Sequence, residues 1–391
     1  MSNASVVADF PQSEKTAAPA ESGMSRANRD HARYKKSFDL VGAMKIANAQ
    51  TGKRYGEMVK EIFRLGRGNG KLSVKDYFYF RLYDDKRLDW AAKTRFLSDD
   101  IHPGVIAKCC DRSWWAVADD KLLAYGHLER AGFAVPETQA VFDRSGRGFG
   151  KLRHLRSAED IAAFLRQDAR FPLFAKPLGG VASFGALRIL GFADGMLTVD
   201  GGETMAFDQL VRDAGEEGYL FQTMLRPHPA IAAVTDAVST VRVMVRIAAD
   251  GPRIMRTVWK IPGKGNIADN FWRAGNLLAA VDSETGEVKR VIRGTGPETE
   301  VLTAHPDSNV PLLGMTLPDW KRLTGMATEG ARLFHPLRYQ SWDIAVAEQG
   351  PVAVEVNTGS AFNLAQLAWD QGILDEDFAG FLRGCGYKLK N

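Results

Sequence analysis

A chain of 391 residues with 45% hydrophobic and 25% charged side chains has an ordinary globular composition, and its length suits two or three domains whose cores need no disulfide or metal staples. The net charge of +4 is too small to argue for nucleic-acid binding, and no segment approaches the roughly 18 consecutive apolar residues of a membrane-spanning helix. Cys109, Cys110 and Cys385 offer neither a C-x-x-C spacing nor a zinc ligand set, and no basic-then-apolar leader follows Met1, so reduced thiols in a soluble, unexported, cytoplasmic protein are expected.

Residues 1–30 mix Ala, Ser, Pro, Glu and Lys with few large apolar groups. They cannot bury enough surface to offset the entropy of ordering, and a disordered tail is expected. From Ser37 the pattern turns helical: Tyr55, Met58, Val59, Ile62 and Phe63 recur at three- and four-residue spacing. Ser73-Val74-Lys75-Asp76 has the form of a helix start ahead of the aromatic run Tyr77 to Tyr83. These signals predict a helical N-terminal region over 31–118. Residues 22–100 carry 18 Lys/Arg against 10 Asp/Glu, a local excess of +8 that leaves the rest of the chain slightly acidic. A basic helical arm can meet an anionic polymer or membrane surface, although a solvated helix face is the commoner reason for such a run.

After Asp119 the texture changes to short β-rich runs broken by glycine, with helical patterns at 157–167 and 318–334. This predicts an α+β body without internal repeats. Pro172 to Pro177 reads as a strand carrying Lys176 at its end, and Leu178 to Gly185 as a glycine-rich loop. Glycines let backbone N–H groups wrap phosphate oxygens and the lysine adds a point charge, so Lys176, Gly179, Gly180 and Ser183 are candidate phosphate contacts. A plain hairpin turn would read much the same. No G-x-x-x-x-G-K-[ST] motif occurs, and Ser183 sits one residue off a nucleophile elbow. In Ser239 to Ile247, alternation sends Val241, Val243, Val245 and Ile247 to one face and Arg242 and Arg246 to the other. There an arginine fork can hold a phosphate or carboxylate, and an exposed polar sheet face is the alternative. Gly263 to Ala268 fits G-x-G-x-x-A, but no helical pattern follows it, which argues against a dinucleotide site. The seven histidines form no paired zinc-ligand spacing.

Ser341 to Asn357 carries the most specific pattern. It reads as a β-hairpin about Gln349-Gly350-Pro351, with position 343 opposite 357 and 345 opposite 355. Trp342, Ile344, Val346, Val352, Val354 and Val356 then share an apolar face, while Asp343, Glu355 and Asn357 gather on the other among alanines. Two carboxylates and an amide oxygen form a hard, oxygen-only set suited to Mg2+, which keeps waters and takes further ligands from substrate phosphates. Incidental acids on a solvated hairpin face are the alternative.

In this order the segments resemble the ATP-grasp superfamily. Asp119-Asp120-Lys121-Leu122-Leu123, followed by Gly132-Phe133-Ala134-Val135-Pro136, is similar to the opening of D-alanine:D-alanine ligase and glutamate-ligase relatives, whose lysine reaches the nucleotide phosphates. The resemblance gives Lys121 that role. It implies that Lys176 and its glycine loop cover the phosphates, and that Tyr219 to Leu225 is a linker strand beside adenine, with Gln222, Thr223, Met224 and Leu225 as nucleotide contacts. Arg242 resembles the arginine of a D-I-R-V strand. Asn270-Phe271-Trp272-Arg273-Ala274-Gly275 resembles an N-L-H-R-G-G segment near the transferred phosphate, and Asp343, Glu355 and Asn357 resemble the metal triplet of a D…E-V-N hairpin. Thr223 stands where many relatives carry an acid. The ribose-contacting acid is missing, with His228 as its stand-in, and Asn357-Thr358-Gly359-Ser360 replaces the usual N-x-x-P-G. Leu72 to Phe78 ahead of Arg81-Leu82-Tyr83 is similar to the sugar-transfer-associated ATP-grasp group, related to α-L-glutamate ligases.

The resemblance covers a module over 119–391 and implies an ATP-grasp fold, two α/β subdomains with antiparallel sheets clasping ATP, behind the helical region. It implies ATP and Mg2+ as cofactors and Arg242 and Arg273 as catalytic groups. The activity it implies is a ligase that activates a small-molecule carboxylate as an acyl phosphate and joins it to an amine, in amino-acid modification of a polysaccharide or its precursor near glycosyltransferase machinery. Two rivals stay open: a kinase acting on a sugar or polyol hydroxyl, and a non-catalytic ATP-binding regulatory module. Acceptor specificity is expected in the loops 262–276 and 294–311.

Overall fold

The computed structural model describes residues 38–179, 185–215 and 218–390; the tail expected over 1–30 lies outside them. Local capping chemistry starts the helices. Ser73 accepts the N–H of Asp76, and Asp76 reaches back to the N–H of Ser73, a capping box that opens the helix Val74–Tyr79. The same device at Ser157 and Asp160 opens Ala158–Gln167. The N-terminal region also contains the helices Leu40–Thr51, Tyr55–Arg67, His102–Cys109 and Trp115–Asp119. Lys53 and Lys93 are buried there, and both ammonium groups reach Glu61 and Asp85, the pairing that buried charge requires.

The period-2 runs beyond Asp119 form two sheets. The first comprises β1 (Thr138–Phe142), β2 (Arg153–Leu155), β3 (Leu173–Pro177), β4 (Leu187–Ala193), β5 (Met196–Val199), β6 (Thr204–Ala206) and β7 (Tyr219–Thr223), in the order β2-β1-β7-β3-β4-β5-β6. Among the described residues only its β1–β2 pair is parallel. Helix Ala158–Gln167 lays Ile161, Phe164 and Leu165, spaced for one face, against Ala140, Phe142 and Phe221.

The second sheet comprises β8 (Thr240–Ala248), β9 (Gly251–Ile261), β10 (Leu277–Val281), β11 (Val288–Arg293), β12 (Glu300–Leu302), β13 (Tyr339–Ala347) and β14 (Gly350–Thr358), in the order β12-β11-β10-β9-β8-β13-β14. Val241, Val243, Val245 and Ile247 of β8 are buried as their alternation requires. They join a continuous core with the helix Trp320–Leu333 and with Met58, Leu65, Tyr77 and Phe78 of the N-terminal helices. At Gly330 the missing side chain makes room for Trp342, since an added Cβ would lie 2.4 Å from the indole. Among the described residues no helix is long and apolar enough to cross a membrane.

The β13–β14 hairpin departs from its expected register. Ala347 pairs with Gly350, so the loop is Glu348-Gln349, and Asp343 lies opposite Glu355 while Ser341 lies opposite Asn357. Between Asp343 and Ile344 the pairing skips Val354, a β-bulge. The extra residue changes the parity of β14. Val352 and Val354 therefore leave the face of Trp342 and Val356, and Val352 packs with Ala345 and Ala347, with Leu225 and Val354 against them.

Candidate active site

A cleft opens between the two sheets, with walls drawn from β3, β4 and β7 on one side and β8, β9, β13 and β14 on the other. The helix Lys121–Arg130 ties both sides together. Asp120 starts it by accepting the N–H groups of Leu122 and Leu123 at 3.0 and 3.1 Å. Lys121, at its first turn, is buried, with Nζ 3.5 Å from Glu355 Oε1 of β14. One turn on, the Tyr125 hydroxyl donates to Val354 O at 2.7 Å and accepts from Lys176 Nζ of β3 at 3.2 Å. Burial lowers the Lys176 amine to about 8, against the raising pull of Glu355 and Asp343.

On β7, Gln222 is buried and donates to Thr138 Oγ1 at 3.2 Å. Thr223, at the place of the expected acid, is tied to Glu137 by a 2.7 Å hydrogen bond. Gln222, Thr223, Met224 and Leu225 all line the cleft.

The opposite wall is built on cross-strand pairs. Asp343 faces Arg242 across β13 and β8 and Glu355 across β13 and β14. Arg242 holds both oxygens of Asp343, Nε to Oδ1 at 2.8 Å and Nη2 to Oδ2 at 2.7 Å, and Lys260 of β9 adds a third bond at 3.1 Å. Burial pushes the Asp343 carboxyl up, but Arg242 and Lys260 outweigh it and hold the group well below the usual carboxylate range. Lys260 Nζ also lies 3.7 Å from Asp269, whose Oδ2 accepts the N–H and hydroxyl of Thr240 at 2.6 and 2.5 Å. Burial raises the Asp269 carboxyl despite these partners.

Eight of the candidates, Lys121, Lys176, Gln222 to Leu225, Asp343 and Glu355, line this one cleft. Arg242 touches it through Asp343, whereas Gly179, Arg273 and Asn357 are not among the lining residues. Gly180 and Ser183 lie outside the described residues. Arg246 shares a strand face with Arg242 but serves the fold, gripping Asp377 of the C-terminal helix Glu376–Gly384 at 2.6 Å. His228, the expected ribose stand-in, accepts the Ala230 N–H at its Nδ1 at the start of the short helix Pro229–Ala232 and is not among the residues lining the cleft, which include Asp236. Sequence reasoning also missed Lys260, Asp269 and Tyr125. The available signal for the first was a lone lysine inside the apolar run Val258-Trp259-Lys260-Ile261.

These donors fit a polyphosphate with a hard divalent cation. Lys121, Lys176 and Lys260 converge on the cleft. Asp343 and Glu355 are carboxylate donors in the cleft wall, Asn357 follows Glu355 by two residues along β14, and among the described residues the buried Asn357 amide nitrogen has no hydrogen-bond partner. Among the described residues no three His, Cys, Asp or Glu side chains form a ready metal cage. A cation here would therefore draw on one or two carboxylates, the amide oxygen and ligand phosphates, as Mg2+ commonly does.

A family profile described as sugar-transfer associated ATP-grasp matches residues 104–379. No curated protein sequence matches the chain. Similar solved structures include the VanG D-Ala:D-Ser ligase from Enterococcus faecalis, at 14% identity and TM-score 0.40, covering 70% of this chain and 64% of that one. The D-alanine-D-alanine ligase from Helicobacter pylori is similar at 12% identity and TM-score 0.39, covering 70% and 62%. The biotin carboxylase β-γ-ATP complex from Campylobacter jejuni is similar at 12% identity and TM-score 0.40, covering 70% and 48%. The chain thus spans less than two thirds of the length of each of these proteins.

Proposed function

The chain belongs to the sugar-transfer-associated ATP-grasp family, and from that premise we propose that it is an ATP- and Mg2+-dependent ligase joining a carboxylate to an amine. The observation that carries the reading is the convergence of three buried lysines with Asp343 and Glu355 in one cleft between two sheets. Phosphoryl transfer requires positioning and charge neutralisation more than covalent help from the protein, and this is the chemistry such a wall supplies. Lys121 and Lys176 lie on one side to hold phosphate oxygens, while Lys260 and Arg242 fix Asp343 in its ionised form. Asp343, Glu355 and Asn357 would hold Mg2+, which when bound neutralises phosphate charge and orients the transferred group.

A substrate carboxylate attacks the γ-phosphorus, the bond to the β-phosphate oxygen breaks, and ADP leaves an acyl phosphate. An amine then attacks the acyl carbon, phosphate departs, and the amine proton passes to water. The family description supports an acceptor linked to sugar transfer, such as an amino acid destined for a polysaccharide or its precursor. In this reading the loops 262–276 and 294–311 frame the acceptor, supported by their packing on the N-terminal helices: Trp272 meets Tyr79 at 5.9 Å between ring centroids, and Gly296 backs onto Phe78.

The test is ADP release by wild type and Glu355→Ala with Mg-ATP, pooled carboxylic acids and hydroxylamine, which traps acyl phosphates as hydroxamates. Hydroxamate from wild type, reduced on the order of a thousandfold in the variant, is expected. Wild-type turnover by Glu355→Ala would refute the site. A stable phosphorylated alcohol in place of hydroxamate would select a kinase.

A further inference from the structure

The helix Tyr55–Arg67 buries Met58 and Leu65, yet Tyr55, Val59 and Phe63, each one turn apart on its outer face, are 47%, 56% and 56% exposed. Seven of the thirteen exposed large hydrophobic residues in the described chain fall between Phe38 and Phe63. On the helix Tyr55–Arg67, Tyr55, Val59 and Phe63 form one apolar stripe at four-residue spacing, unlike singly scattered surface residues. The exposed charges on the same helix are Lys60, Arg64 and Arg67, all basic. Of its two acids, Glu61 is turned inward, held by Lys53 at 2.7 Å and by the Tyr77 hydroxyl at 2.6 Å, while Glu57, with its side chain 45% exposed, is neutralised by Arg54 at 2.9 Å. Arg67 lies 3.7 Å over the Phe63 ring, so apolar and cationic groups form one surface.

We propose that this helix face docks on an anionic lipid bilayer, with Tyr55, Val59 and Phe63 entering the headgroup boundary and Lys60, Arg64 and Arg67 meeting acidic headgroups. An interfacial helix carries this pairing of bulky apolar residues with long basic side chains, whose stems pack on the apolar boundary while their heads stay in water. A second copy of the chain is the poorer occupant. A two-fold contact through this face would bring the same three cations against one another, with Glu57, already paired to Arg54, as the helix's one half-exposed acid. The inference is independent of the reaction in the cleft, and it would hold the enzyme beside substrates carried on a membrane.

Co-sedimentation of the full chain with vesicles tests it. Binding to phosphatidylcholine mixed with phosphatidylglycerol, little binding to phosphatidylcholine alone, and loss of binding at high salt are expected. Lys60→Ala should weaken partitioning roughly fivefold. The double change Val59→Glu and Phe63→Glu should weaken it by about tenfold or more, with the unfolding midpoint retained because both positions are exposed. Three results would overturn the proposal: no binding of wild type to anionic vesicles, unchanged binding by the double variant, or a dimer in light scattering that the double variant dissolves.

Discussion

Lys260→Met removes one cation from a buried four-charge cluster in which Arg242 and Lys260 balance Asp343 and Asp269. Asp343 keeps its two bonds to Arg242, so its loss is one charged hydrogen bond. Asp269 keeps only the bonds from Thr240 and escapes the imbalance by taking up a proton. The cost at neutral pH is therefore about 2–3 kcal/mol, below the full cost of stranding a buried charge. The sign of the pH dependence follows from Asp269, whose folded-state value lies above its ordinary one. In the variant this shift grows, so the folded state holds a proton that the unfolded chain releases, and stability falls as pH rises through that window. The gap between wild type and Lys260→Met in urea midpoint, at unchanged slope, should widen from about pH 5 to about pH 8. Adding Asp269→Asn should narrow it, since the amide oxygen can keep both Thr240 bonds. A gap of the same size at both pH values, or none, would refute the charge-balance reasoning.

Nucleotide binding should take up protons on the alkaline side of Lys176, whose amine lies at about 8 in the free protein. A polyphosphate beside it raises that value, so calorimetry in buffers of different ionisation heat should show uptake near about pH 8.5 and almost none near about pH 6. Absence of uptake at the higher pH would remove Lys176 from the phosphate site. Gly330→Ala should destabilise the fold by roughly 1–3 kcal/mol, because its Cβ would press within 2.4 Å of Trp342 in a filled core. Trp342 precedes Asp343, so turnover should fall with stability, and an unchanged denaturation midpoint would show that the indole has room to move.

The sequence by itself determined what depends on neighbours a few residues apart. The helix start at Ser73, the helical pattern over 157–167 and the alternation of Val241 to Ile247 were legible because hydrogen bonds and face periodicity are local. The likeness in motif order also brought Lys121, Lys176, Gln222 to Leu225, Asp343 and Glu355 to one cleft. Tertiary structure decided the partners. Arg242 and Asp343 are 101 residues apart, and they meet because β8 and β13 are neighbours in the sheet. Lys260 reaches Asp343 because β9 follows on the other side of β8, while Arg246, two positions beyond Met244 on the same face, finds Asp377 in the C-terminal helix. The bulge at Val354 was equally invisible, because one unpaired residue leaves the strand pattern intact while reversing which side chains face the cleft. Periodicity tells each strand which face to bury; the order of strands in the sheet, set by the whole core, chooses which charges stand opposite one another.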